Sequence, residues 1–163
     1  YVYDASVGVW HERKSYGYAD WKPTSYARYA NKHLVGSSKV YELSNTTYTD
    51  DTQPIVAEII SVPYGDNIDQ SLVMSMFQLD IEAGVGLATG QGSDPMATLQ
   101  FSDDGGKTWS NEIWRSFGRS GHGTLRAVWR RLGKFRQRTL RITISDPVKR
   151  RIMGGFAQVQ NGG

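Results

Sequence analysis

Apolar and polar residues alternate with a period of two along most of the chain. Phe77, Leu79, Ile81 and Ala83 are separated by Gln78, Asp80 and Glu82, and Ala97, Leu99 and Phe101 by Thr98 and Gln100. Leu125, Ala127 and Trp129 alternate with Arg126, Val128 and Arg130, and Leu140, Ile142 and Ile144 with Arg141, Thr143 and Ser145. Side chains of an extended chain point alternately to opposite faces, so this pattern predicts strands with one buried face. No segment carries a convincing helical period. Turn clusters separate the strands: Pro63 to Asn67, Gly90 to Pro95, Leu132-Gly133-Lys134 and Asp146-Pro147. Short strands punctuated in this way predict an all-β fold, a β-sandwich of jelly-roll type.

The first fifty residues read differently. Tyr26–Ala30, His33–Gly36 and Lys39–Leu43 form a strand–turn–strand–turn–strand unit joined by Asn31-Lys32 and Ser37-Ser38. Such a β-meander is the building unit of a propeller blade. A single blade cannot close a ring. The expected organisation is therefore a blade-like remnant over residues 1–50 and a β-sandwich over residues 51–163. The chain opens on Tyr1 with no initiator Met, as if cut from something longer.

Composition narrows the function classes. With 163 residues, 39% hydrophobic and 21% charged, the chain is globular. It has no cysteine, which removes disulfides, thiolate metal sites and a cysteine nucleophile. No apolar run has the roughly 20 residues of a membrane-spanning helix, so no membrane anchor is expected. The net charge of +3 hides an asymmetry. Residues 1–106 hold six Lys/Arg against fourteen Asp/Glu, a balance of −8, and residues 107–163 hold thirteen against two, a balance of +11.

The most specific local motif is Ser102-Asp103-Asp104-Gly105-Gly106-Lys107-Thr108-Trp109, which fits the Asp-box pattern S-x-D-x-G-x-T-W. Its physics is that of a tight hairpin: Asp104 accepts from the amides of the turn, Gly106 supplies a positive φ and Trp109 folds back beneath. A folding role for Ser102, Asp104, Gly106, Thr108 and Trp109 outweighs a ligand site. One such box does not make a sialidase, which also needs a full propeller, an arginine triad and a Tyr–Glu pair.

The basic half is the second feature, with ten Arg against three Lys after residue 106. Strand parity puts Arg126 and Arg130 opposite Leu125, Ala127 and Trp129, and Arg141 opposite Leu140, Ile142 and Ile144. If the two strands pair through a turn at Leu132-Gly133, these arginines form one outward stripe, with Asp80 and Glu82 of a neighbouring copy as its complement. Contact with phosphates and an ordinary solvated face are the other readings of the stripe. Catalytic chemistry is thin. His11, His33 and His122 lack metal-ligand spacing. Asp50-Asp51 and Asp103-Asp104 are adjacent and point to opposite faces. The glycines from Gly84 to Gly92 precede no helix that could hold a phosphate. No catalytic residue, metal or cofactor is expected, and the five tryptophans are expected mainly in the core.

Several blocks, in order, resemble the C-terminal part of the packaged-DNA stabilisation proteins of short-tailed phages, the tail hub family. They are Val2–Ser6 with Trp10, Leu34–Gly36 with Val40–Leu43, Asp80–Gly86, Ala97–Gly106, Val128–Lys134 and Leu140–Val148. The resemblance implies a non-enzymatic virion protein of the phage tail, assembled in the host cytoplasm. It implies a homo-oligomeric ring, a hexamer, beneath the head-to-tail connector. Its partners would be neighbouring connector or adaptor proteins and the tail needle or spikes, with possible contact to packaged DNA. Closing the portal channel and retaining DNA are the implied tasks. A carbohydrate-binding or sialidase-associated β module and a nucleic-acid-binding β module are the alternatives.

Overall fold

The computed structural model describes residues 1–65 and 69–162, and every regular element among them is a strand. The chain divides into two compact units, Tyr1–Ile55 and Val56–Gly163.

The N-terminal unit holds seven short strands. β1 (Val2–Asp4) and β2 (Val9–His11) form an antiparallel hairpin. β3 (Ser25–Tyr29), β4 (Lys32–Gly36) and β5 (Val40–Glu42) form a three-stranded antiparallel meander. β6 (Thr49–Asp50) and β7 (Gln53–Pro54) close a hairpin. Its turn residues Asp51 and Thr52 both have positive φ, at 47° and 72°. Asp51 Oδ2 accepts from Lys39 Nζ and Tyr41 Oη, at 3.2 and 3.0 Å, which ties that turn to β5 and holds the Asp51 carboxyl below its ordinary pKa. The unit buries little: Val35 is its one buried hydrophobic side chain, while Tyr3, Trp10, Tyr26 and Tyr29 are exposed.

The second unit is a β-sandwich. One sheet has the order β11-β10-β13-β8, built from β8 (Ala57–Ile60), β10 (Met96–Ser102), β11 (Ile113–Ser116) and β13 (Thr139–Ile144). The other has the order β12-β9-β14, built from β9 (Leu72–Ile81), β12 (Ala127–Phe135) and β14 (Ile152–Asn161). All of these pairings are antiparallel. The period-two positions meet between the sheets: Ala97, Leu99, Leu140, Ile142 and Ile144 from the first, Phe77, Leu79, Ile81, Ala127 and Trp129 from the second. Each fully buried aliphatic or aromatic side chain contributes roughly 1.5–3 kcal/mol, so this interior carries most of the stability. Trp129 is completely buried, and its Nε1 donates to the Ile113 carbonyl at 2.6 Å, joining the sheets along one side.

Two expectations are corrected here. Leu132-Gly133-Lys134 is not a turn. β12 runs straight through it on a β-bulge, where the register against β9 shifts between Arg130 and Gly133. Arg131 and Gly133 take positive φ there, at 58° and 84°, and the extra residue lets both Leu132 and Phe135 face the core although they differ in parity. The chain turns afterwards, before β13. As a result β12 pairs with β9 and not with β13, and Leu125 lies outside the strand with 44% of its surface exposed. The turn expected over Pro63 to Asn67 lies partly outside the described residues, which omit Asp66 and Asn67.

The end of the sandwich near this turn is held by Arg138, which is 2% exposed. Its Nε and Nη2 each donate at 2.6 Å to the two carboxylate oxygens of Asp103, just past β10. Nη1 donates to the Leu132 carbonyl in the bulge, and the guanidinium lies between the rings of Phe101 and Phe135, at 4.1 and 4.5 Å. Removing one member of a buried pair leaves the other charge without a partner, at a cost of about 3–5 kcal/mol. Asp103 is 41% exposed, so Asp103→Asn is expected at the lower end, near 3 kcal/mol. The double change Asp103→Asn with Arg138→Met should be less destabilising than Asp103→Asn alone, because no buried charge is left unpaired. Urea denaturation of the wild-type chain and the two variants measures both effects.

Candidate functional site

The Asp-box segment follows β10 directly, and Ser102, Asp104 and Thr108 bond to one another within it. Ser102 Oγ donates to Asp104 Oδ1 at 2.7 Å and accepts from the Gly106 amide at 2.8 Å. The Thr108 amide donates to Asp104 Oδ1 at 2.9 Å, and the Thr108 hydroxyl donates to Oδ2 at 2.6 Å. Gly106 has φ 91°, a conformation open to glycine at no steric cost. Both oxygens of Asp104 are engaged, and these donors hold its carboxyl far below the usual carboxylate range. A group so fully bonded and so acidic is a poor proton carrier near neutral pH.

Trp109 is half-buried, and the expectation of full burial does not hold for it. Its ring carries the Arg141 guanidinium at 3.9 Å, and a Cβ placed on Gly106 would lie 3.8 Å from it. Arg141 also lies 3.8 Å from Glu58 on the neighbouring strand β8. Of the five tryptophans, Trp129 is the one in the core; Trp10 is 68% exposed, Trp114 48% and Trp21 36%.

The stripe of three arginines is therefore overturned. Arg130 is exposed on the outer face of the three-stranded sheet, its Nη1 3.6 Å from Met76 Sδ, and Arg126 is exposed just before β12. Arg141 belongs to the other sheet and is engaged with Trp109 and Glu58. The pairing that would have aligned them fails because β12 continues through the bulge to β9. The supposed acidic complement also divides: Asp80 is exposed on β9, whereas Glu82 pairs with Lys149 of its own chain at 2.9 Å.

The structure brings a different set of cations together. Arg126, Arg130, Arg131 and Arg136 lie along or just beyond β12, all exposed, with no carboxylate within 4 Å among the described residues. Arg131 and Arg136 were not singled out by parity, because the bulge that exposes Arg131 beside Arg130 has no signature in an alternating pattern. Elsewhere, His33 Nδ1 lies 2.7 Å from the Tyr26 hydroxyl, and no cluster of three or more His, Asp or Glu able to hold a metal occurs among the described residues.

The arrangement is that of a β-sandwich whose Asp103 and Asp104 serve structure and whose outer surface carries Arg126, Arg130, Arg131 and Arg136. A family model described as bacteriophage P22 Gp10, beta-sandwich matches residues 60–160. The chain belongs to that family. The matched span falls within the sandwich unit and covers its strands from β9 to β14 except Asn161, together with Ile60 of β8. P22 Gp10 membership makes the chain a phage virion structural protein with a β-sandwich domain. No curated protein matches it. No helix among the described residues is long and apolar enough to cross a membrane.

Two outcomes follow from the geometry of residues 102–109. A carboxyl whose folded pKa lies below its unfolded value of about 3.9 stabilises the fold above that pH and loses the contribution as pH falls toward the folded value. Asp104→Asn should therefore be less stable than wild type at pH 7, with the gap narrowing below pH 4 in melting curves recorded against pH. Trp129→Ala should cost about 3–5 kcal/mol, whereas the half-buried Trp109→Ala should cost clearly less. Denaturant titration of the two variants compares them.

Proposed function

We propose that this chain is a non-enzymatic structural subunit of a phage tail or head-to-tail connector. It helps close the portal channel, retains the packaged DNA and provides attachment for the tail needle or spikes. The observation that carries the reading is the P22 Gp10 β-sandwich match over residues 60–160. The internal bonding of the sandwich supports it. The acidic groups that sequence reasoning would offer to chemistry, Asp103 and Asp104, are bonded to Arg138 and to the Asp-box turn. What is left exposed is suited to contacts with other macromolecules: aromatic side chains on the N-terminal unit and arginines on the sandwich. The functional form in this reading is a ring of copies, a hexamer, seated between connector and distal tail proteins.

Particles assembled without this chain test the proposal. They are expected to fill with DNA, then to release it, and to lack the distal tail in electron micrographs. Particles that keep their genome and infectivity without it would overturn the reading.

A further inference from the structure

The four arginines of the β12 edge have a feature that separates them from an ordinary protein interface. From Arg130 to Arg136 the apolar side chains Leu132 and Phe135 point inward, at 4% and 5% exposure. What the edge shows outward over that stretch is Arg130, Arg131, Gly133, Lys134 and Arg136. Protein–protein interfaces are organised around apolar or aromatic anchors in a desolvated centre, and the stretch from Arg130 to Arg136 has none; Leu125 and the half-buried Val128 are the apolar neighbours of Arg126. It is a linear array of cations. β12 has nine residues and, at about 3.3 Å per residue, extends roughly 30 Å. Arg126 and Arg136 sit one residue beyond either end.

The bulge contributes directly. In a regular strand Arg130 and Arg131 would face opposite sides, and one would enter the core. With Arg131 at φ 58°, both are exposed and Leu132 takes the core position. A non-glycine residue with positive φ is uncommon, and here it doubles the positive charge at one point of the edge.

We propose that the β12 edge, through Arg126, Arg130, Arg131 and Arg136, binds the phosphate backbone of double-stranded DNA without regard to sequence. A duplex is a linear polyanion with one charge per ~1.7 Å, the partner that an extended cationic edge without an apolar centre fits best. The inference deepens the reading of the chain as a DNA-retaining tail component, and rests on it for the biological source of the duplex.

The test uses the full chain and a short mixed-sequence duplex, with affinity measured by fluorescence anisotropy across a salt series. Four phosphate contacts predict a log–log salt slope of about −3.6, hence roughly a hundredfold weakening between 50 and 200 mM salt. The variant Arg130→Gln/Arg131→Asn keeps a residue tolerant of positive φ at position 131 and should lower the slope by about two, equally on unrelated sequences. Arg126→Gln/Arg136→Gln, outside the bulge, should do the same. Arg141→Gln, on the other sheet, should change nothing, and far-UV circular dichroism checks that each variant is folded. Absence of wild-type binding at 50 mM salt, or an unchanged slope in both double variants, would overturn the inference. So would normal DNA binding by variants that no longer join the tail, an outcome that assigns the edge to an acidic protein. Incorporation of the wild-type chain into particles, scored separately, tests the structural role on its own.

Discussion

Arg138 buries its charge where the two sheets of the sandwich come together, and the surrounding geometry follows from what that charge requires. A guanidinium out of water needs its donors filled and its faces covered. Asp103, at the end of β10, takes two donors side by side; Leu132, in β12, takes a third through its carbonyl; Phe101 and Phe135 cover the planar faces. One side chain thus fixes the end of a strand in one sheet against the bulge of a strand in the other. A lysine could not replace it, since an ammonium has neither the fork that matches a carboxylate nor the flat faces that stack on rings.

The same interaction gives the Asp-box its place. Asp104 organises the turn from within, whereas the adjacent Asp103 reaches to Arg138. The chain leaves β10 at Ser102 and bends through Asp103 and Asp104, so one short segment both closes a turn and anchors a sheet. Trp109 adds a third connection by lying against Arg141 on the strand next to β10. Both aspartates of the segment are engaged in structural bonds, Asp103 with Arg138 and Asp104 with Ser102 and Thr108.

Alternation alone made three of the sandwich strands legible: Phe77 to Ile81 and Leu140 to Ile144 bury the alternate residues that their patterns mark, and Ala97 to Phe101 does so with Phe101 only partly buried. The fold class follows from these, because strands with one apolar face and no helices have few ways to bury it. The partners of each strand were not legible. Gly133 has the appearance of a turn glycine, and a local reading cannot tell a turn from a bulge, since both draw on positive φ. That single ambiguity moved β12 from one sheet to the other and broke up the arginine stripe. Arg138 was hidden for a different reason. Its carboxylate lies 35 residues away in sequence, and in a run of basic residues nothing local marks the one that turns inward.

The two outer strands of the three-stranded sheet show how differently an edge can be managed. β14 carries ten residues without a charge, while β12 is basic, bulged and additionally bonded to β11 through Arg115 Nε on the Val128 carbonyl, at 3.0 Å. Bulges and charges at an edge oppose unwanted strand pairing, since the twist disrupts the ladder and an incoming strand must desolvate the cations. The arginines of β12 therefore contribute before any partner is present, by keeping other strands off that edge. A polyanion is under no such restriction. It approaches the side chains without needing the backbone ladder, and the charge that repels a strand attracts it. If the edge binds DNA as proposed, the arginines in and beside β12 that protect it also select its partner.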